Sequence, residues 1–260
     1  MSEKWKEDLV DPRPLRQEMY LAKLHGVYDG ELPAPVTKED KYLYELAVNG
    51  ASGGGIAAGI EYLERGDFQS PTKIKIYGNP VAPRVMQEED TLKEVTLAEG
   101  VEYIGENAFE DCMGLETVVF PSTLTEIGDQ AFRNCISLEN AVLPDGLEVL
   151  GADVFENCNR LAMTSLPSSL REIGSKAFSS CYLVWIKAVP GSVKRIESHA
   201  FKDCHGLTEI TFEGTPDSIS DNAFYGCVGL QTINVPWSKG AVEGAPWGAD
   251  GATVNHDYVK

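Results

Sequence analysis

Six cysteines, Cys112, Cys135, Cys158, Cys181, Cys204 and Cys227, each follow the last by 23 residues. That spacing constrains the chain more than its composition does, because a fixed period of this size marks a stacked repeat. Other columns keep the same period. Three positions before each cysteine stands Phe109, Phe132, Phe155, Phe178, Phe201 or Phe224. The residue before each Phe is Ala108, Ala131, Val154, Ala177, Ala200 or Ala223, and eight before each Cys comes Ile104, Ile127, Leu150, Ile173, Ile196 or Ile219. Three positions after each Cys are Leu115, Leu138, Leu161, Val184, Leu207 and Leu230.

The unit has a physical reading. In Leu115-Glu116-Thr117-Val118-Val119-Phe120-Pro121 the apolar residues Leu115, Val118 and Phe120 point inward on a short strand. Pro121, Pro144, Pro167, Pro190 and Pro236 end their strands, since proline cannot donate to a ladder. Ile-Gly pairs such as Ile104-Gly105, Ile127-Gly128 and Ile173-Gly174 predict a tight turn. Glu106, Asp129, Ala152, Ser175, Ser198 or Asp221 follows, mostly good helix-capping types, so about one helical turn is expected with Ala, Phe and Cys on one side. One such unit cannot bury its apolar face alone, whereas a stack of them can.

The pattern LxxIxxP…IGxxAFxxC over residues 92–236 resembles the BspA-like class of bacterial leucine-rich repeats. The resemblance implies an α/β fold: a curved, right-handed solenoid with a parallel sheet on its concave side, used for binding protein or glycan and not for catalysis. The chain departs from the pattern in places. Glu213 stands where a strand-ending proline is expected, and Glu197 and Ser220 replace turn glycines. Lys187 falls in an inward column, so its strand is expected to shift or bulge.

Free cysteine packs as a small hydrophobe, so one thiol per repeat on an apolar face reads as a buried ladder. Metal binding needs ligands clustered at tetrahedral spacing, which this column lacks, and no disulfide is expected. No cofactor is implied. His25, His199, His205 and His256 are scattered, and no Ser/His/Asp or Cys/His arrangement appears in a usable order, so an enzyme is not expected.

Outside the repeats, residues 15–24 and 41–48 are two helix candidates, joined by the proline-rich stretch Gly30-Glu31-Leu32-Pro33-Ala34-Pro35. Residues 1–50 therefore read as a helical attachment segment that docks on a partner or self-associates as a homo-oligomer, followed by a Gly-rich linker at 51–55. No Gly-Lys-Ser/Thr follows those glycines, so they are not a phosphate loop. Residues 56–91 and 237–260 are expected to cap the solenoid, with Trp237 and Trp247 as apolar plugs. Segments of both ends (LPAPVTKED…YLYEL, and VPW…GAPWGA) resemble tail-associated proteins of bacteriophages and prophages.

Charge narrows the partners. With 22 basic and 40 acidic residues the net charge is −18, which disfavours nucleic acid and anionic lipid. No apolar run is long enough for a membrane helix, and the charged start Met1-Ser2-Glu3-Lys4-Trp5-Lys6 lacks the core of a secretory signal. The expected location is cytoplasmic synthesis and virion association, or the cell surface if a signal was removed.

The outward strand columns carry the informative surface. Polar residues hold both ends, while Val142, Ala162, Met163, Trp185, Ile186 and Ala188 form an apolar middle. An apolar patch rimmed by polar groups marks a binding site, and aromatic residues are favoured anchors. The partner would be another protein or a cell-surface glycan stacked on Trp185. The alternative is that Trp185 or Ile186 turns inward because Lys187 cannot. The sequence thus predicts a non-catalytic binding protein: a tail-associated receptor-binding protein, a surface adhesin of the same repeat class, or a purely structural assembly protein.

Overall fold

The computed structural model describes residues 59–65, 71–77, 80–81 and 83–259. The attachment segment 1–50 and the linker 51–55 lie outside them. The repeats wind into a solenoid whose rungs stack through two separate parallel ladders. One ladder uses the strands expected from the LxxV pattern: β3 (Glu94–Leu97), β5 (Thr117–Val119), β7 (Asn140–Ala141), β10 (Ala188–Val189), β12 (Glu209–Phe212) and β14 (Thr232–Asn234). The other is a column of two-residue strands that the sequence pattern did not reveal: β4 (Tyr103–Ile104), β6 (Glu126–Ile127), β8 (Val149–Leu150), β9 (Glu172–Ile173), β11 (Arg195–Ile196) and β13 (Ser218–Ile219). Its pairs keep the sequence period, with Ile104 beside Ile127, Ile127 beside Leu150 and Ile173 beside Ile196.

The expected helical turn after Ile-Gly is not formed; among the described residues there is no α-helix. The segment is a chain of β-turns whose backbone groups are shared between rungs. Ala108, Glu110 and Cys112 donate N–H bonds three residues back, to Gly105, Asn107 and Phe109. The alternate residues Asn107, Phe109 and Asp111 donate across to Asp129, Ala131 and Arg133 of the next rung, at 2.8–2.9 Å. These backbone donors are thereby satisfied without a helix. The geometry requires left-handed backbone at two columns, and Asn107, Gln130, Asp153, Lys176 and His199 occupy the first. Asp111, Asn134, Asn157, Ser180, Asp203 and Gly226 occupy the second, with φ between 55° and 74°. Asn, Asp and Gly tolerate that region best.

The interior follows the columns. Phe109, Phe132, Phe155, Phe178, Phe201 and Phe224 are fully buried, and successive rings stack with centroids 5.2–5.7 Å apart. This offset stacking adds about 0.5–1.5 kcal/mol per pair beyond burial. All six thiols are free and buried. Each Sγ donates to a carbonyl of the rung before; Cys158 reaches Phe132 O at 3.2 Å and Cys227 reaches Phe201 O at 2.9 Å. The column therefore wants a small apolar residue that carries one proton. Gly174 serves close approach in the same way: a Cβ there would lie 2.5 Å from the Gly151 backbone.

Glu110 and Asn107 are buried among the repeats. Asn107 Nδ2 and Gln87 Nε2 each donate to Glu110 Oε2 at 2.7 Å, and the Arg133 guanidinium lies 2.5 Å from Oε1. The other acids are mostly exposed, several in rung-to-rung ion pairs such as Lys93–Glu116 and Arg171–Glu148.

At one end β1 (Gly59–Arg65) and β2 (Pro71–Tyr77) form an antiparallel hairpin, and β2 pairs in parallel with β3. At the other end β15 (Thr253–Asn255) pairs with β14. Trp237 and Trp247 are both buried there, against Phe212 and each other, and Trp247 O accepts the Phe224 N–H in place of a further rung. Their role is structural.

Candidate functional site

The long-strand ladder is interrupted. One sheet ends at β7 and the next begins at β10, with a single parallel bridge, Met163 to Val184, between them. The cause lies in the inward column, which reads Val95, Val118, Ala141, Thr164, Lys187, Ile210 and Ile233. Burying an unpartnered ammonium or hydroxyl costs several kcal/mol. Both polar rungs avoid this by shifting phase by one residue. Met163 and Ile186 turn inward, to 5% and 1% exposure, and Thr164 and Lys187 turn out. Because the strand period is two, a one-residue shift exchanges the faces and breaks the ladder.

The six predicted contact residues divide accordingly. Met163 and Ile186 are core residues and are removed from the candidate site. Val142, at 85% exposure, and Trp185, at 58%, stand out from the face; Ala162 is exposed and Ala188 half-buried. Val119, 46% exposed and not among the six, extends the apolar surface toward the N-terminal rungs. Val142 lies between two shallow grooves, one bordered by Val119, Phe120 and Pro144, the other by Ala162, Leu166 and Pro167.

Trp185 is fixed from below. A Cβ on Gly206 would fall 2.4 Å from its Cδ1 and 2.6 Å from its Nε1, so the indole rests directly on the backbone of the next rung. Around it a concavity of about 280 Å³ is lined by Ile186, Lys187, His205, Gly206, Thr208 and Glu209. The His205 ring stacks on Tyr182, centroids 5.2 Å apart and 7° from parallel. Glu209 is oriented by Asn234, whose Nδ2 donates to Oε1 at 2.8 Å and which is itself held by Asn255. Sequence reasoning missed Tyr182 and His205 because they belong to the column after Cys, whose members share no type. The outward turn of Lys187 was signalled by its misplaced charge; that of Thr164 was not.

The remaining groups offer little chemistry. Burial raises the thiols of Cys135, Cys158, Cys181 and Cys204 well above the ordinary range and Cys227 to about 12. A reactive cysteine needs the opposite shift. Ser198 Oγ lies 2.8 Å from His199 Nδ1, but Ser198 and Ser220 both donate to Asn222 Oδ1, so the cluster is a turn brace. Among the described residues no group of three His, Cys, Asp or Glu could hold a metal ion.

A parallel solenoid with open contact grooves on a strand face defines a repeat scaffold for surface recognition. More narrowly, the chain belongs to the BspA type leucine rich repeat family, whose model matches residues 83–189 and 186–243 in six copies. Among solved structures, a leucine rich repeat protein of T. pallidum is similar at 29% identity and a TM-score of 0.55, over 64% of this chain and 86% of that one. A leucine-rich repeat protein of Bacteroides ovatus is similar at 19% identity and a TM-score of 0.41, over 76% of this chain and 75% of that one. The pneumococcal vaccine antigen PcpA is similar at 20% identity and a TM-score of 0.32, over 62% and 53%. No curated protein matches the chain.

Proposed function

We propose that this is a non-catalytic binding protein that receives a partner on the strand face, across the interruption between β7 and β10. The observation that carries this reading is the exposure of two large apolar side chains, Val142 and Trp185, on the strand face. A well-packed solenoid gains nothing in stability from presenting them to water. The partner is a protein or a cell-surface glycan. The resemblance of both chain ends to tail-associated proteins favours a receptor-binding role on a phage or prophage tail, with residues 1–50 as the attachment or oligomerisation segment. The repeat class itself favours the second reading, a bacterial surface adhesin.

The test is binding of the labelled full chain to a panel of bacterial cells. Binding to some members of the panel is expected, weakened about tenfold or more in both Val142→Arg and Trp185→Ala. Failure to bind any cell, or binding indifferent to both substitutions, rejects the proposal. Immunogold labelling of induced lysates and of intact cells separates the two readings, since a tail component decorates particles and an adhesin decorates cells.

A further inference from the structure

Resting on the binding reading above, we infer that the concavity at Trp185 is a saccharide subsite that takes an uncharged pyranose ring. Four observations converge on this ligand class. First, Trp185 is the exposed tryptophan among the described residues, and its indole is pinned on Gly206 from one side, which leaves a rigid apolar shelf. A pyranose has a matching apolar C–H face, and a shelf that is already ordered loses little entropy on binding it.

Second, the groups around the shelf are of both hydrogen-bonding kinds. Glu209 accepts, Lys187 donates, Thr208 does both, and His205 contributes a ring nitrogen; all line the same concavity. Alternating donors and acceptors at the rim suit the hydroxyls of a sugar ring, each of which donates and accepts. A purely apolar side chain of a protein partner would instead strip water from Glu209 and Lys187 and give nothing back.

Third, the acceptor is preorganised. Asn234, itself buried, holds Glu209 Oε1, and Asn255 holds Asn234, so the carboxylate is aimed by two further rungs before a ligand arrives. Fourth, the rim sets one carboxylate, Glu209, against one ammonium, Lys187, beside the His205 ring. The balance, within a chain of net charge −18, disfavours sulfated and sialylated sugars. The concavity, about 280 Å³, admits one ring, so affinity for longer glycans rests on neighbouring contacts along the face.

The experiment applies the full chain to a glycan array that displays neutral hexose and N-acetylhexosamine oligosaccharides beside sulfated and sialylated ones. Retention of neutral members is expected. The signal should fall about tenfold or more in Trp185→Ala and several-fold in Glu209→Gln, and Trp185→Phe, which keeps a ring, should retain part of it. Circular dichroism confirms that each variant is folded. Retention of no neutral glycan, retention of anionic glycans alone, or equal binding by Trp185→Ala overturns the inference. If cells are still bound through Val142 and Trp185 while the array stays blank, the saccharide reading falls and the binding reading stands. If neither binds, both fall.

Discussion

Raising the pH should unfold this protein abruptly, because its cysteine ladder can ionise only when it leaves the core. Burial, first among the causes in each, raises the thiols of Cys135, Cys158, Cys181, Cys204 and Cys227 above the ordinary range of a free cysteine. A group whose folded pKa lies above its unfolded value contributes stability that is whole below the unfolded pKa. That contribution is lost as pH rises toward the folded value, because the unfolded state then holds fewer protons. At pH 10 each thiol held protonated in the core costs on the order of 1 kcal/mol of folding free energy, and the five together cost several. A domain is commonly stable by only about 5–15 kcal/mol. Stability should therefore be flat from neutral pH to about 8.5 and collapse within roughly the next two pH units. The assay follows circular dichroism and thiolate ultraviolet absorbance together, under reductant, as pH is raised. The two signals should change in one transition. Thiolate absorbance that rises one group at a time while the fold persists would refute the reasoning, since it would place the thiols within reach of solvent.

Other perturbations have defined outcomes. Phe155→Ala opens a cavity in the middle of the ring stack and should cost about 3–5 kcal/mol, read as a lower urea midpoint. Ser180→Gly relieves left-handed backbone at φ 60° and should raise stability by about 0.5–1 kcal/mol by the same measurement. Trp185→Ala, at a site 58% exposed, should change stability by less than about 1 kcal/mol while reducing partner binding. A fall in melting temperature of several degrees without loss of binding would assign Trp185 to the core. A thiol reagent added to the native chain should modify none of the six cysteines, and all six after unfolding.

Much of this was legible in the sequence, for a reason that also marks its limit. Columns whose residue type is dictated by burial, such as Phe155, Cys158 and Ile173, repeat with little change and can be read by alignment of the chain on itself. The short-strand ladder was hidden because two residues carry no periodicity. Ala-Phe-x-x-Cys suits one helical turn and a chain of β-turns equally well, so spacing alone chose wrongly. The deciding signal was the column Asp111, Asn134, Asn157, Ser180, Asp203, Gly226, whose members favour left-handed backbone and disfavour a helix interior. At the face, the charge of Lys187 announced a shifted strand. Thr164, which can be buried when partnered, announces nothing, so Met163 stands on the wrong side of the sequence reading, whereas the inward turn of Ile186 is the alternative that Lys187 left open.

The phase shift at these two rungs is what creates the proposed site, and the inert thiols make it directly measurable. Because the native cysteines are buried, a cysteine introduced at a single position reports that position alone. Thiol-labelling rates in the native chain should be those of an open thiol for Thr164→Cys and Lys187→Cys, and slow by orders of magnitude for Met163→Cys and Ile186→Cys. Fast labelling at 163 and 186 with protection at 164 and 187 would mean that the strands run through in uniform register, and that the face around Trp185 is not the one described.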